Sequence, residues 1–225
     1  MANRGQKQQD AEEKVEKALG NTEQFLEKNR NYLIYGLGGV IVIALLVFGY
    51  RSFYVAPLEE EARAQMFLAE QYFRRDSLSQ ALNGDGNNPG FLQIIDEYGG
   101  KAGEAVYFYA GVCQLRLGEY EEAIANLKKF SAGDEILTPR AWSCIGDAYV
   151  QLGDYTTAVD YFLKAANYRE STYSAAYLLK AGLAYEALQK TDDALKVYTR
   201  IKDDYAQTPE GRTIDKYIGR INPTL

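Results

Sequence analysis

The order of hydrophobic and polar positions divides this chain into two kinds of segment. Residues 32–50, YLIYGLGGVIVIALLVFGY, contain no Asp, Glu, Lys or Arg and show no polar face. At ~1.5 Å rise per residue, a run of about 20 residues spans a ~30 Å hydrocarbon layer, so the run predicts one transmembrane helix. Tyr32, Tyr35, Phe48, Tyr50, Phe53 and Tyr54 bracket it in the manner of an interfacial aromatic belt. After Pro57 the chain reads as amphipathic helix almost throughout, without strand-like alternation. The predicted fold class is all-α: a single N-terminal transmembrane helix followed by a helix–turn–helix solenoid.

A cleavable signal would carry a shorter apolar core behind a short basic start. Here 31 mixed polar residues come first, and no small-x-small cleavage site follows in RSFYVAP. A buried core helix would be shorter and would keep a polar face. Lys14, Lys17, Lys28 and Arg30 lie within twenty residues before the run, against Arg51 and Arg63 after it. The positive-inside bias then predicts a cytoplasmic tail (1–31), the transmembrane helix (32–50) and an exported domain (51–225).

Inside that domain the pattern repeats. Gly111, Gly146 and Gly182 are 35 and 36 residues apart, each followed at matching offsets by a related set. Gly111 precedes Leu117-Gly118, Tyr120, Ala123, Leu127 and Phe130; Gly146 precedes Leu152-Gly153, Tyr155, Ala158, Phe162 and Ala165. Gly182 precedes Leu188-Gln189, Thr191, Ala194, Tyr198 and Ile201, a degenerate version with Gln and Thr where Gly and Tyr are expected. Small residues let two helices approach, larger ones fill the gap, and Gly supplies a left-handed cap at the first helix's end. This signature resembles the tetratricopeptide repeat, whose units bury their apolar faces only by stacking. The units read as 104–131, 139–167 and 175–204, with a divergent first unit at 58–98. That first unit comprises a long helix 58–82, started by Pro57, and a short helix 91–98 reached through the loop 83–90. A capping helix is expected at 209–221.

Composition removes most chemistry. The chain has 25 basic and 31 acidic residues and no histidine. Residues 1–31 hold six of each sign, so the whole net charge of −6 belongs to the exported domain. An acidic domain does not suit nucleic acid or an anionic lipid surface. Without histidine there is no Ser-His or Cys-His pair and no imidazole metal ligand; a catalytic role, a cofactor and a small-molecule substrate are not expected. Asp85, Asn87, Gly90 and Asp96 fall at positions 1, 3, 6 and 12 of a calcium-loop template, but position 5 is Pro89 and position 12 lacks the bidentate Glu. The loop reads instead as a helix linker with Asn88 as N-cap and Pro89 at the first helical position. Cys113 and Cys144 sit four residues apart in register on neighbouring first helices, too far to bridge, and are expected to be free, mostly buried thiols.

The resemblance implies a concave groove for protein partners, lined by the first helix of each unit. Positions three before, one after and four after the unit glycine would face it: Phe108, Val112 and Leu115; Ser143, Asp147 and Val150; Leu179, Leu183 and Glu186. None is the Lys or Asn that groove binders of C-terminal carboxylates use, so the expected surface is apolar in the first and third units. The groove is either open or filled by the chain's own helix 58–82 or capping helix.

The layout of tail, anchor and small exported repeat domain, ending in Ile-Asn-Pro-Thr-Leu, resembles the bacterial family of ancillary subunits of the SecYEG translocon. That family implies an inner-membrane protein with a periplasmic domain that partners an anchored peptidyl-prolyl-isomerase-like chaperone. The expected function is a membrane-anchored interaction module beside the protein-export channel, binding partner or client chains through the groove. The alternative is a scaffold for envelope assembly or division.

Overall fold

A computed structural model describes residues 28–131 and 133–222, and among these every regular element is a helix. Most of the expected tail and the closing Pro-Thr-Leu lie outside the described residues. The chain forms two units, one ending at Pro57 and the other Leu58–Leu225.

The first unit holds helix α1 (28–50) and a π-helical turn at Arg51–Val55, where Ala56 N–H donates to the carbonyl of Arg51. The sequence suggested that Pro57 opens a new helix; instead helical structure runs through it. Proline lacks an N–H and crowds the carbonyl four residues back, and the widened turn just before Pro57 takes up that misfit. Among the described residues one helix, Lys28–Arg74, is long and apolar enough to cross a membrane. Its apolar window has a mean hydropathy of 2.3 and none of it is buried, unlike a core helix.

The second unit is a stack of helix pairs. The three clear pairs are α5 (Ala105–Leu117) with α6 (Tyr120–Lys129), α7 (Leu137–Gln151) with α8 (Tyr155–Asn167), and α9 (Ser174–Ala187) with α10 (Thr191–Asp204), each helix packed on the next. The unit glycines hold each pair together. A Cβ added to Gly111 would lie 2.6 Å from Leu127, one on Gly146 2.6 Å from Phe162, and one on Gly182 2.1 Å from Tyr198. Leu127, Phe162 and Tyr198 are almost fully buried, so each second helix drives one large side chain into the space a glycine leaves.

Each first helix ends in one turn geometry. Gly118, Gly153 and Gln189 are left-handed, at φ of 87°, 80° and 60°. The next N–H reaches back five residues, from Glu119 to Gln114, Asp154 to Tyr149 and Lys190 to Tyr185, each at 2.9 Å. These are Schellman caps, which satisfy carbonyls the helix leaves without partners. The third unit keeps the cap although its residue carries a side chain.

The divergent first unit follows the same plan. The expected 58–82 helix is broken after α2 (Ala56–Arg74): the chain turns at Asp76, left-handed at φ 61°, with Ser77 N–H bonded to Tyr72 at 2.9 Å. Counting from this turn, Ala69 takes the place of the unit glycine and Ala81 that of Ala123, Ala158 and Ala194, all of them fully buried. The second helix is split into α3 (Leu78–Asn83) and α4 (Phe91–Tyr98) by the loop 84–90. The turns at Asp76 and Gly118 are 42 residues apart against 35 and 36 for the later ones, an excess that this seven-residue loop accounts for. Its neck is closed by contact of Gly84 with Gly90, where a Cβ on Gly90 would meet Gly84 N at 2.3 Å. The helix starts at Phe91 behind Gly90, whose N–H donates to Gln93 Oε1 at 3.0 Å, not at Pro89 behind Asn88. α2 is thus the first helix of a repeat and does not fill the groove.

The expected capping helix 209–221 is two short helices, α11 (Pro209–Thr213), capped by the Thr208 hydroxyl, and α12 (Asp215–Ile221). They cover α9 and α10 through Ile214 and Ile218.

Two expected outcomes test this account. Gly146→Ala overpacks the Phe162 contact, by about 1–3 kcal/mol, and lowers the melting temperature of the full chain in detergent micelles, while adding Phe162→Leu recovers part of the loss. Gln189→Gly removes left-handed strain of roughly 1 kcal/mol against a smaller gain in unfolded-chain entropy, so the melt rises by up to about 4 °C.

Candidate functional site

The first helices α5, α7 and α9 lie side by side and form an open groove of about 410 Å³. α5 contributes Val112, Leu115 and Arg116; α7 Arg140, Ser143, Cys144 and Asp147; α9 Ala176, Tyr177 and Lys180, with Tyr173 just before it; Ile136 closes one edge. Within each helix these positions recur every three or four residues, as one helical face requires. A second cavity of about 210 Å³ adjoins it, sharing Asp147 and Lys180 and walled by Val150, Tyr155, Phe162, Leu183 and Ala184.

Of the nine positions expected in the groove, the structure brings six to these two cavities: Val112, Leu115, Ser143 and Asp147 to the larger, Asp147 again with Val150 and Leu183 to the smaller. The other three do not line it. Phe108 is 3% exposed and packs on Phe130, with ring centroids 5.6 Å apart, so it is core between α5 and α6. Leu179 packs with the third-unit core. The Glu186 carboxylate is already used: it accepts from the Tyr198 hydroxyl and from Arg220 at 2.6 Å, which ties α12 to α9. Burial, then that hydrogen bond, raises the Tyr198 phenol pKa and keeps it a donor.

The expected apolar surface is also corrected. The larger cavity is lined by three cations and one carboxylate. Lys180 Nζ donates to Asp147 Oδ2 at 2.6 Å and to Ser143 Oγ at 3.1 Å, joining the second and third units. Burial raises the Asp147 carboxyl above its ordinary value, and Lys180 opposes that shift. Arg116 pairs with Asp76 at 2.7 Å. Arg140, exposed on α7, has no ion-pair partner among the described residues. Nothing in the glycine register pointed to Arg140 or Lys180; the three-and-four spacing of Tyr173, Ala176, Tyr177 and Lys180 was the available signal.

The cysteines occupy different surroundings. Cys113 is fully buried in the first-unit core, with its thiol pushed up to about 12 by burial. Cys144 is half-buried on the groove wall, raised to about 11 for the same reason. The calcium-loop positions serve the insertion. Asp85 accepts from the Tyr72 hydroxyl at 2.6 Å, the backbone N–H groups of Asn87 and Asn88, and the Asn88 amide, bonds that hold its carboxyl well below the usual range. Its oxygens organise the loop.

The family model for the tetratricopeptide repeat matches residues 114–173 and 145–209. Residues 114–209 carry tetratricopeptide repeats. Stretches of the chain are similar to Superkiller complex protein 3 of Mus musculus (30% identical over 105 residues) and of Homo sapiens (32% over 108), in each case 45% of this chain. Tetratricopeptide repeat protein 37 of Xenopus laevis is 28% identical over 91 residues, 40% of this chain. The chain spans only 6% of the length of each of these relatives, so the likeness is one of repeats. Tetratricopeptide repeats are protein–protein interaction modules, and the groove here lies on the first helices α5, α7 and α9.

The Lys180–Asp147 pair makes a pH-dependent prediction. Lys180→Met leaves the Asp147 carboxylate without its cation and lifts its folded-state pKa further above the unfolded value. Protonated Asp147 then favours the fold, so the deficit against wild type is full above the folded pKa and closes as pH falls towards about 4. Both side chains are more than a third exposed, so the deficit at neutral pH is about 1 kcal/mol at most. Urea melts from pH 4 to 8 should show the two curves converging at the acid end; a constant gap would mean that the pair carries no charge coupling.

Proposed function

We propose that this chain is a membrane-anchored docking protein whose groove on α5, α7 and α9 receives an extended segment of a partner protein. The observation that carries this reading is the open groove itself. Among the described helices of the repeat unit, α2 is spent as the first repeat and α12 is tied to α9 through Arg220 and Glu186, so neither fills it. The unburied apolar helix supports an anchor that crosses a membrane once, and the basic residues before it support a cytoplasmic tail with the repeats on the exported side. In this reading the protein sits in a bacterial inner membrane with its repeats in the periplasm, next to the protein-export channel. It holds an anchored chaperone or emerging chains there. The support for that address is the order of basic residues, apolar helix and repeats along the chain. A scaffold for envelope assembly or division would use the same groove with a fixed structural partner.

A photo-crosslinking residue at Tyr173, exposed on the groove, is expected to trap a partner in living cells, while one at Glu122 on the outer helix α6 is not. Mass spectrometry of the adduct separates an export-channel component or chaperone from an envelope scaffold. Adducts from Glu122 alone would move the interaction to the outer face.

A further inference from the structure

The groove is not uniform, and its two cavities ask for different chemistry. In the larger one the charges nearly cancel in pairs. Lys180 is held by Asp147 at 2.6 Å and Arg116 by Asp76 at 2.7 Å, which leaves the Arg140 guanidinium as the cation with no ion-pair partner among the described residues. It stands in a wall that also presents the Tyr177 phenol and the Cys144 thiol, both neutral at physiological pH. A single unmatched cation in the groove of a chain with net charge −6 is a local reversal of sign. In the smaller cavity the charges are again spent on each other, so its accessible wall is apolar. Leu183, 41% exposed, forms its lip, and Val150, Phe162 and Ala184 lie behind it. A volume of about 210 Å³ admits one side chain of the size of leucine or phenylalanine.

The spacing of the two features follows from the helix that carries both. From Arg140 to Asp147, on the rim of the smaller cavity, is seven residues of α7, or ~10 Å, and Val150 lies ~4–5 Å further. An extended chain covers the ~10–13 Å from Arg140 to the rim of the smaller cavity and just past it in about three or four residues. We propose that the groove selects an extended segment of a partner protein in which a side-chain carboxylate meets Arg140 and a large apolar side chain, three or four residues away, enters the pocket behind Leu183. The occupant is thus defined by one acid and one apolar anchor at fixed spacing. This rests on the reading of the groove as a docking site.

The test uses the full chain in detergent micelles and fluorescein-labelled Gly/Ser peptides carrying one Glu and one Leu, separated by one to six residues in either order. Anisotropy titrations are expected to give the tightest binding at a separation of three or four, and replacing Glu by Gln should weaken that peptide about fivefold. Arg140→Gln should remove the Glu–Gln difference without moving the thermal melt, since Arg140 is exposed; Leu183→Ser should remove the preference for Leu over Gly in the peptide. A flat dependence on separation, or an Arg140→Gln protein that still prefers Glu to Gln, overturns the proposal. In that case, adducts from the residue-173 crosslinker with the same peptides would keep the groove as a docking site of other specificity. Absence of both binding and groove adducts would remove the docking reading as well.

Discussion

The close approach of each unit glycine to one large side chain of the second helix is the constraint on which the rest depends. Gly111 faces Leu127, Gly146 faces Phe162 and Gly182 faces Tyr198, each at a distance that leaves no room for a Cβ. This contact fixes how near the two helices of a pair lie and therefore how much of the next pair's first helix remains uncovered. The groove is made of those uncovered faces on α5, α7 and α9. The three fillers differ in chemistry while occupying the same position. Tyr198 keeps its hydroxyl satisfied by giving it to Glu186, which in turn takes Arg220 from α12. One buried tyrosine thereby joins the packing of the last pair to the closure of the array.

The turns show a second invariant. Four first helices end in the same left-handed cap, at Asp76, Gly118, Gly153 and Gln189, although only two of the four residues are glycine. The backbone bond closing the cap is 2.9 Å in every case. Packing on both sides of the turn imposes the geometry, and the residue at the turn sets only the strain it carries. For the same reason the first repeat was hard to see. Its glycine is Ala69, its turn residue is Asp76, and a seven-residue loop breaks its second helix, so of the marks that define the other repeats only the alanine, Ala81, survives in the letters. What also survives is the interval, seven residues from Ala69 to Asp76 and five more to Ala81, which is legible only once the turn is located.

The repeats, the all-α class and the apolar helix could be read from the sequence because each rests on a periodicity that local physics enforces. The groove could be read only in part, and the reason is geometric. A fixed offset from the unit glycine assumes that successive pairs present the same face. In the structure the lining positions shift from one unit to the next. They run from Val112 to Arg116, one to five residues after Gly111; from Arg140 to Asp147, six before to one after Gly146; and from Tyr173 to Lys180, nine to two before Gly182. The groove crosses the first helices on a diagonal, drifting by roughly one helical turn or more per repeat, as expected when stacked pairs twist about a common axis. A constant offset therefore caught Ser143 and Asp147 in the middle unit. It caught Phe108 and Glu186, one in the core and one tied up by Arg220, towards the ends, and it passed over Arg140 and Lys180.

The electrostatics of the groove follow from that diagonal. Because neighbouring helices are displaced along it, Lys180 of one pair reaches Asp147 and Ser143 of the previous one, and related contacts join Arg169 to Glu135 and Arg200 to Asn167. Contacts between repeats occupy Lys180 and Arg116 of the groove's three cations, and Arg140 is left without an ion pair among the described residues. The acidic surface repels an acidic segment at long range, while a contact with Arg140 acts at short range. At about 0.1 M ionic strength the Debye length is ~10 Å, so salt weakens the distant repulsion more than a contact pair. The groove can therefore discriminate in favour of a carboxylate at contact without the steep salt dependence of a basic surface, and the acidic exterior discourages acidic segments that fail to place their anchor behind Leu183.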